Sequence, residues 1–126
     1  TSAPMSFQHT LASLLDVNRG ALAVCFLDDS GETVDLACGE DFTAYEMKVV
    51  GAYIGIYMRQ MAAVMEAASL GTPELLHIEK DELHLFAAPL PDDYYLVLVQ
   101  RCPALTARSR RSLVAARDDI AREIFS

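Results

Sequence analysis

Two histidines, His77 and His84, are the side chains of this sequence best placed to do chemistry together. They flank Lys80-Asp81 in a stretch that reads as a tight β-hairpin. With a two-residue loop across Lys80-Asp81, Ile78 faces Leu83, Leu76 faces Leu85, and the two imidazoles face each other. Imidazole nitrogens are metal ligands, but a structural zinc takes four protein ligands. Glu79 and Glu82 are the nearest carboxylates, and no carboxylate or thiol completes a ligand set at clear spacing. The pair therefore reads as a surface cross-strand contact, with no metal assigned. Protonation of both rings below about pH 6.5 is expected to weaken this strand pair.

The remaining reactive residues show no catalytic pattern. Asp28-Asp29 and Asp92-Asp93 sit in turns, where aspartate is favoured for its backbone hydrogen bonding. Carboxylates adjacent in sequence do not place an acid and a base across a cleft. Serines and threonines lack histidine and aspartate partners at recognisable positions. Neither a Gly-x-x-x-x-Gly-Lys nor a Gly-x-Gly-x-x-Gly loop is present, so no phosphate cradle and no nucleotide cofactor is expected. Arg108, Arg110 and Arg111 form the one basic cluster, read as a solvated helix end able to touch an acidic partner or a second copy. Cys25, Cys38 and Cys102 are odd in number, widely spaced and set among apolar residues. They read as reduced, buried side chains, which points to a cytoplasmic location.

The chain has 126 residues, 52% of them apolar, with mean hydropathy +0.21. That is one domain, 1–126, with a single real core, and it is too apolar to be disordered. The net charge is −8. Residues 1–102 hold 5 basic and 15 acidic residues, whereas residues 103–126 hold 5 basic and 3 acidic. An acidic body repels phosphate backbones, so no nucleic-acid partner is expected. No apolar run reaches membrane-spanning length: the longest uncharged stretch of the middle helix, Val49 to Met58, stops at Arg59. The opening residues TSAPMSFQ show neither the basic nor the apolar segment of a signal peptide.

Hydrophobic spacing lays out the elements that carry these residues. Phe7, Leu11, Leu14 and Leu15 give an amphipathic helix from Met5 to about Val17, ended by Asn18-Arg19-Gly20. Ala21 to Leu27 is a strand apolar on both faces, hence central. Asp28-Asp29-Ser30-Gly31 turns it back into Thr33 to Cys38, nearer an edge. A Thr43-x-x-Glu46 capping box opens a long helix that closes near Leu70-Gly71. Strands Glu74 to Lys80, Glu82 to Ala88 and Tyr94 to Gln100 follow. A last helix after Pro103 buries Leu113, Ala116, Ile120 and Ile124, with Asp118 and Arg122 as an ion pair one turn apart. The order α-β-β-α-β-β-β-α gives an α/β (α+β) sandwich with a five-stranded antiparallel sheet. The long helix is expected on one face and the terminal helices on the other.

That long helix is apolar on more than one face. At about 100° per residue, Met47, Val50, Ile54, Tyr57, Met58, Met61, Val64 and Met65 fill the sector expected to meet the sheet. Lys48, Arg59 and Glu66 lie opposite. Val49, Tyr53, Ile56, Gln60 and Ala67 form a shoulder with no role inside one domain, flanked by Ala52 and Gly55, small enough for a second backbone to approach. Contiguous exposed apolar surface is uncommon on monomers, so the shoulder reads as a partner surface. The strand Glu74 to Lys80 adds an apolar edge without proline, open to pairing with another chain. The candidate interface is therefore Lys48, Val49, Ala52, Tyr53, Ile56, Arg59 and Gln60 of the helix, with Leu75, His77 and Glu79 of the edge strand.

The element order resembles the roadblock/LC7 family. The local pattern agrees: Gly20, the strand Ala21–Leu27, then Asp28 and Gly31, followed by a long helix rich in small residues (Gly51, Ala52, Gly55, Ala62, Ala63, Ala67, Ala68). The closing helix after an apolar strand looks like that of the bacterial MglB-like members, which partner small Ras-like GTPases. The resemblance covers nearly the whole chain and rests on element order and lengths. It brings no catalytic residue. It implies a homodimer, or a heterodimer with a paralogue, in which the third strands pair and the long helices lie side by side against a GTPase. An arginine finger from the basic cluster would be the sharpest version, but that cluster lies on the face opposite the expected contact.

The function expected from the sequence is thus a non-enzymatic dimeric module that binds and regulates a small Ras-like GTPase. The rivals are a structural adaptor with no effect on GTP hydrolysis, a small acidic secretion chaperone, and a small-molecule sensor. The chaperone order places three strands before the middle helix where this chain has two. A sensor would need convergent polar groups in a pocket, which the sequence does not supply.

Overall fold

A computed structural model describes residues 7–101 and 106–125. The first helix, α1, is Gln8–Val17, followed by strands β1 (Ala21–Leu27) and β2 (Thr33–Cys38). The long helix α2 is Ala44–Ala67. Strands β3 (Leu76–Lys80), β4 (Leu83–Pro89) and β5 (Tyr95–Arg101) precede the last helix, α3 (Thr106–Phe125). The expected start of the first helix at Met5, Cys102 and the helix-opening Pro103 lie outside the described residues.

The strands form one antiparallel sheet in the order β2-β1-β5-β4-β3. β1 and β5, the two strands apolar on both faces, sit at its interior, as strands covered on both sides must. Alternate residues of β1, β4 and β5 divide the core in two. Val24, Phe26, Phe86, Leu96 and Leu98 pack with Phe7, Leu11 and Leu14 at α1 and with Leu113, Ala116 and Ile120 of α3. Cys25, Leu27, Ala87, Tyr95, Val97 and Val99 pack with Met47, Ile54 and Met58 of α2. The α+β sandwich follows from this alternation, with α2 on one face and the terminal helices on the other.

Local chemistry sets the boundaries. The Thr43 side chain accepts the Glu46 N–H and the Glu46 carboxylate accepts the Thr43 N–H, closing the capping box at α2. Asp28 Oδ1 accepts the N–H groups of Ser30 and Glu32, which organises the β1–β2 turn. Buried Gln100 of β5 joins the sheet to both ends of the chain, donating to the Arg19 carbonyl and accepting from Ser109 of α3.

Three expectations need correction. The hairpin loop is Asp81-Glu82, with Lys80 opposite Leu83. His77 therefore faces Phe86 and His84 faces Glu79. A shift of two positions in pairing preserves which face a side chain occupies, so both histidines still share one side. The ion pair expected between Asp118 and Arg122 is replaced by Arg122–Asp119 and Arg117–Asp118. Helix positions three apart are as close as positions four apart, and Asp118 is taken by its neighbour. Finally, Tyr57, Met61 and Val64 belong to the exposed surface of α2, although their spacing places them next to the buried stripe.

Candidate interaction surface

The geometry of α2 explains its exposed apolar residues. A helix of 24 residues is about 36 Å long, whereas a strand of 7 residues spans about 23 Å. Met47 packs near the start, and Gly51 lies over Cys25 and Leu27, where an added β-carbon would meet Leu27 Cδ2 at 2.8 Å. Gly55 then crosses the β1–β2 turn beside Gly31. Beyond Met58, Met61 and Val64 are exposed by 45% and 64%.

Gly55, expected with Ala52 to admit a second backbone, is thus used within the chain, whereas Ala52 stays exposed. Gly51 seats α2 on β1, and Gly55 seats it on the turn. Arg59 folds back over Gly55 and donates from Nη1 to the Asp29 carbonyl at 3.1 Å. That bond fixes which side of α2 faces the turn.

The helix part of the candidate interface lies together on the outward side of α2. Val49, Ala52, Tyr53, Ile56 and Gln60 are exposed, Tyr53 by 58%, with exposed Lys48 and half-buried Arg59 along one flank. Tyr57 and Val64, exposed by 52% and 64%, extend this surface around the flank opposite Arg59. These two and Met61 are the residues that helical periodicity assigned to the core. The available signal was length, since 24 residues outrun any strand in the sheet.

The edge-strand part lies elsewhere. Leu75 is half-buried against the α1–α3 core, and His77 and Glu79 point to that same side of the sheet. The alternate residues Leu76 and Ile78, with Leu83 and Leu85 of β4, face the α2 side and are only half-buried. α2 rests mainly on β1 and β2, so among the described residues β3 and β4 carry no comparable helix on that face. Half-buried apolar side chains thus lie on this face beside α2, toward the β3 edge.

The two sheet edges differ. Gln8 at the start of α1 donates from Nε2 to the Leu36 carbonyl of β2 at 2.8 Å and also bonds Asp35. The Phe7 N–H donates to Asp35 as well. Side chains therefore guard β2, in the manner by which native sheets blunt an edge. Among the described residues β3 has β4 on one side and no strand on the other.

Cys25 and Cys38 are free thiols. Burial pushes the Cys25 thiol far above its ordinary value, with Cys38 adding to it. Burial and then Glu46 raise that of Cys38. Neither is a ready nucleophile. His77 Nε2 and His84 Nδ1 are 2.9 Å apart. Among the described residues no three histidine, cysteine or acidic side chains are grouped to hold a metal. A groove of about 500 Å³ opens beneath the overhang of α2, between Met58, Ala62, Pro73, Leu90, Tyr95 and Arg117. No helix among the described residues is long and apolar enough to cross a membrane.

No model of a known protein family matches this chain, and no curated protein matches it in sequence. Solved structures do. A roadblock/LC7 domain from Streptomyces avermitilis superposes with a TM-score of 0.86 at 10% identity, over 97% of this chain and 100% of that one. An MglB solved in a tetrameric arrangement gives 0.82 at 14% identity, over 91% of this chain and 85% of the other. MglB of Myxococcus xanthus gives 0.78 at 13% identity, over 94% and 96%. At such identities a likeness establishes architecture, and the chain has the roadblock/LC7 fold.

Proposed function

We propose that the chain is a non-enzymatic interaction module that pairs with a second copy of itself, or with a paralogue, and regulates a small Ras-like GTPase. The observation that carries this reading is the unshared apolar surface of α2. Val49, Tyr53, Ile56, Tyr57, Met61 and Val64 are each at least 40% exposed on one helix. Burying such side chains contributes roughly 25 cal/mol per Å² of apolar area, and a second chain would offer that burial.

The half-buried apolar side chains between α2 and β3 would take a second α2 on the flank of Tyr57 and Met61. The open edge of β3 offers main-chain pairing to the same partner. The outward residues Val49, Tyr53, Ile56 and Gln60, rimmed by Lys48 and Arg59, would then meet the GTPase. The fold likeness to MglB supports this assignment. Regulation requires that the contacts differ between the two nucleotide states of the partner, because a surface that binds both equally shifts neither.

The test is GTP hydrolysis and nucleotide release by a small Ras-like GTPase, measured with and without this protein. A changed rate that reverts with Ile56→Asp supports regulation. Binding with unchanged rates assigns the adaptor role, and absence of binding to any such GTPase removes the proposal.

A further inference from the structure

We infer that the groove where α2, α3 and the β4–β5 turn meet is a binding site for a small organic cation, an amine or guanidine carried on an apolar body. The site is separate from the outward residues of α2 and goes beyond the regulation proposed above.

The observation that points to a ligand is Tyr95. This residue is 2% exposed and lines the groove. Its hydroxyl has no hydrogen-bond partner among the described residues. Among those residues no polar side-chain atom is both sealed from solvent and unpaired. The hydroxyl is therefore not sealed, and the groove is the open space that Tyr95 borders. A buried ring normally finds a partner for its polar tip within the fold. Here that partner must come from whatever fills the groove.

The charges around the hydroxyl select a cation. Burial first, and Asp93 next, raise the phenol's pKa, with Arg59 opposing. The Asp93 carboxylate thus lies within electrostatic reach of the hydroxyl. Asp93 and Glu74 both line the groove, and neither carboxylate has an ion-pair partner among the described residues. Arg117, also on the wall, is already engaged: it donates from Nε to Asp118 at 3.1 Å and from Nη1 to the Glu74 carbonyl at 3.4 Å. Arg59 is off the wall and is held by the Asp29 carbonyl. An anion would meet two unpaired carboxylates, whereas a cation can bridge Asp93 and the phenol oxygen.

The rest of the groove is apolar and preformed. Pro73, Pro89 and Pro91 stand on its rim, and the fixed φ of proline limits how far such a rim collapses. Met58 and Ala62 of α2 close one side. The volume of about 500 Å³ lies within the range of about 300–1,000 Å³ for small-molecule sites. The lining comes from four separate stretches of the chain, so no spacing in the sequence announces it.

The experiment is an amide chemical-shift titration of the isotope-labelled full chain. The probe is phenethylamine, compared with the neutral phenethyl alcohol and the anionic 3-phenylpropionate. Phenethylamine is expected to shift the amides of residues 72–74 and 93–95, with a Kd of about 1 mM. The alcohol should bind about tenfold more weakly, and the anion should leave these amides unmoved. Tyr95→Phe, which keeps the ring, should weaken the amine by about threefold, and Asp93→Asn by about tenfold. Asp92→Asn removes the same charge one position away and off the groove wall, so it should change the Kd by less than about twofold. The dispersion of the amide spectrum shows directly that each variant is folded. Amine shifts localised to the groove and lost in this order support the site. No shift up to about 10 mM amine, equal binding of the three probes, equal effects of Asp93→Asn and Asp92→Asn, or full affinity in Tyr95→Phe would each overturn it.

Discussion

A β-carbon added at Gly55 would lie 3.4 Å from the Cα of Gly31 and 3.3 Å from Nη1 of Arg59. The long helix and the β1–β2 turn thus touch backbone to backbone at this point. Gly31 has φ +81° and cannot yield without disturbing the turn. Gly55→Ala should be near neutral, because the helix propensity gained, about 1 kcal/mol, offsets the tight contact. Gly55→Val should destabilise by about 2–3 kcal/mol. Urea unfolding of the two variants checks this. Equal stability of both would mean that the crossing is looser than described.

The capping box at the start of α2 makes a second prediction. Thr43 and Glu46 satisfy each other's N–H groups, 3.0 and 3.1 Å from their acceptors. Thr43→Ala should cost about 1 kcal/mol and Thr43→Ser almost nothing. Denaturant midpoints measure both. A silent Thr43→Ala would mean that packing of Met47 and Ile54 alone fixes the helix start.

Much of this was legible in the sequence because its signals are local. Runs apolar on both faces, Ala21 to Leu27 and Tyr94 to Gln100, marked the central strands, the latter observed at Tyr95–Arg101, and the Thr43–Glu46 pair marked a helix start. What escaped depends on distance in space. Periodicity says which side of a helix is apolar and is silent about where the sheet beneath it ends, so Tyr57, Met61 and Val64 read as core. The hairpin register was off by two because Lys80-Asp81 and Asp81-Glu82 are equally plausible turn pairs on composition. The fold of Arg59 onto the Asp29 carbonyl, 30 residues away in sequence, has no sequence signal at all.

His77 gives a pH prediction. Although its outer edge meets solvent, the ring lies on Phe86. Burial first, and His84 next, hold its pKa below the ordinary histidine value, with Arg110 adding and Glu79 opposing. The unfolded chain therefore takes up a proton at higher pH than the fold does. Stability is complete above the ordinary histidine range and falls as pH drops through it. Thermal midpoints should decline from about pH 7.5 to about pH 5.5, and His77→Gln should flatten that decline. An unchanged slope in the variant would assign the effect to other groups.

Removing the exposed residues of α2 should leave the fold intact. Tyr53→Glu and Ile56→Asp touch no part of the buried core, so unfolding free energies should change by no more than about 0.5 kcal/mol. Association with the partner should weaken by about tenfold or more, as expected for an anchor residue in an interface. Paired stability and binding measurements separate the two effects. A large loss of stability would place these side chains in the fold instead of the interface.

Self-pairing is the most direct test of the whole account, and sedimentation equilibrium reads it without any partner. The account predicts a species of twice the 13.8 kDa chain mass at concentrations of about 10 µM and above, shifting toward single chains in Tyr57→Glu and Ile78→Lys. A 13.8 kDa species that persists to about 1 mM would contradict it, since the apolar side of α2 would then be stable in water alone.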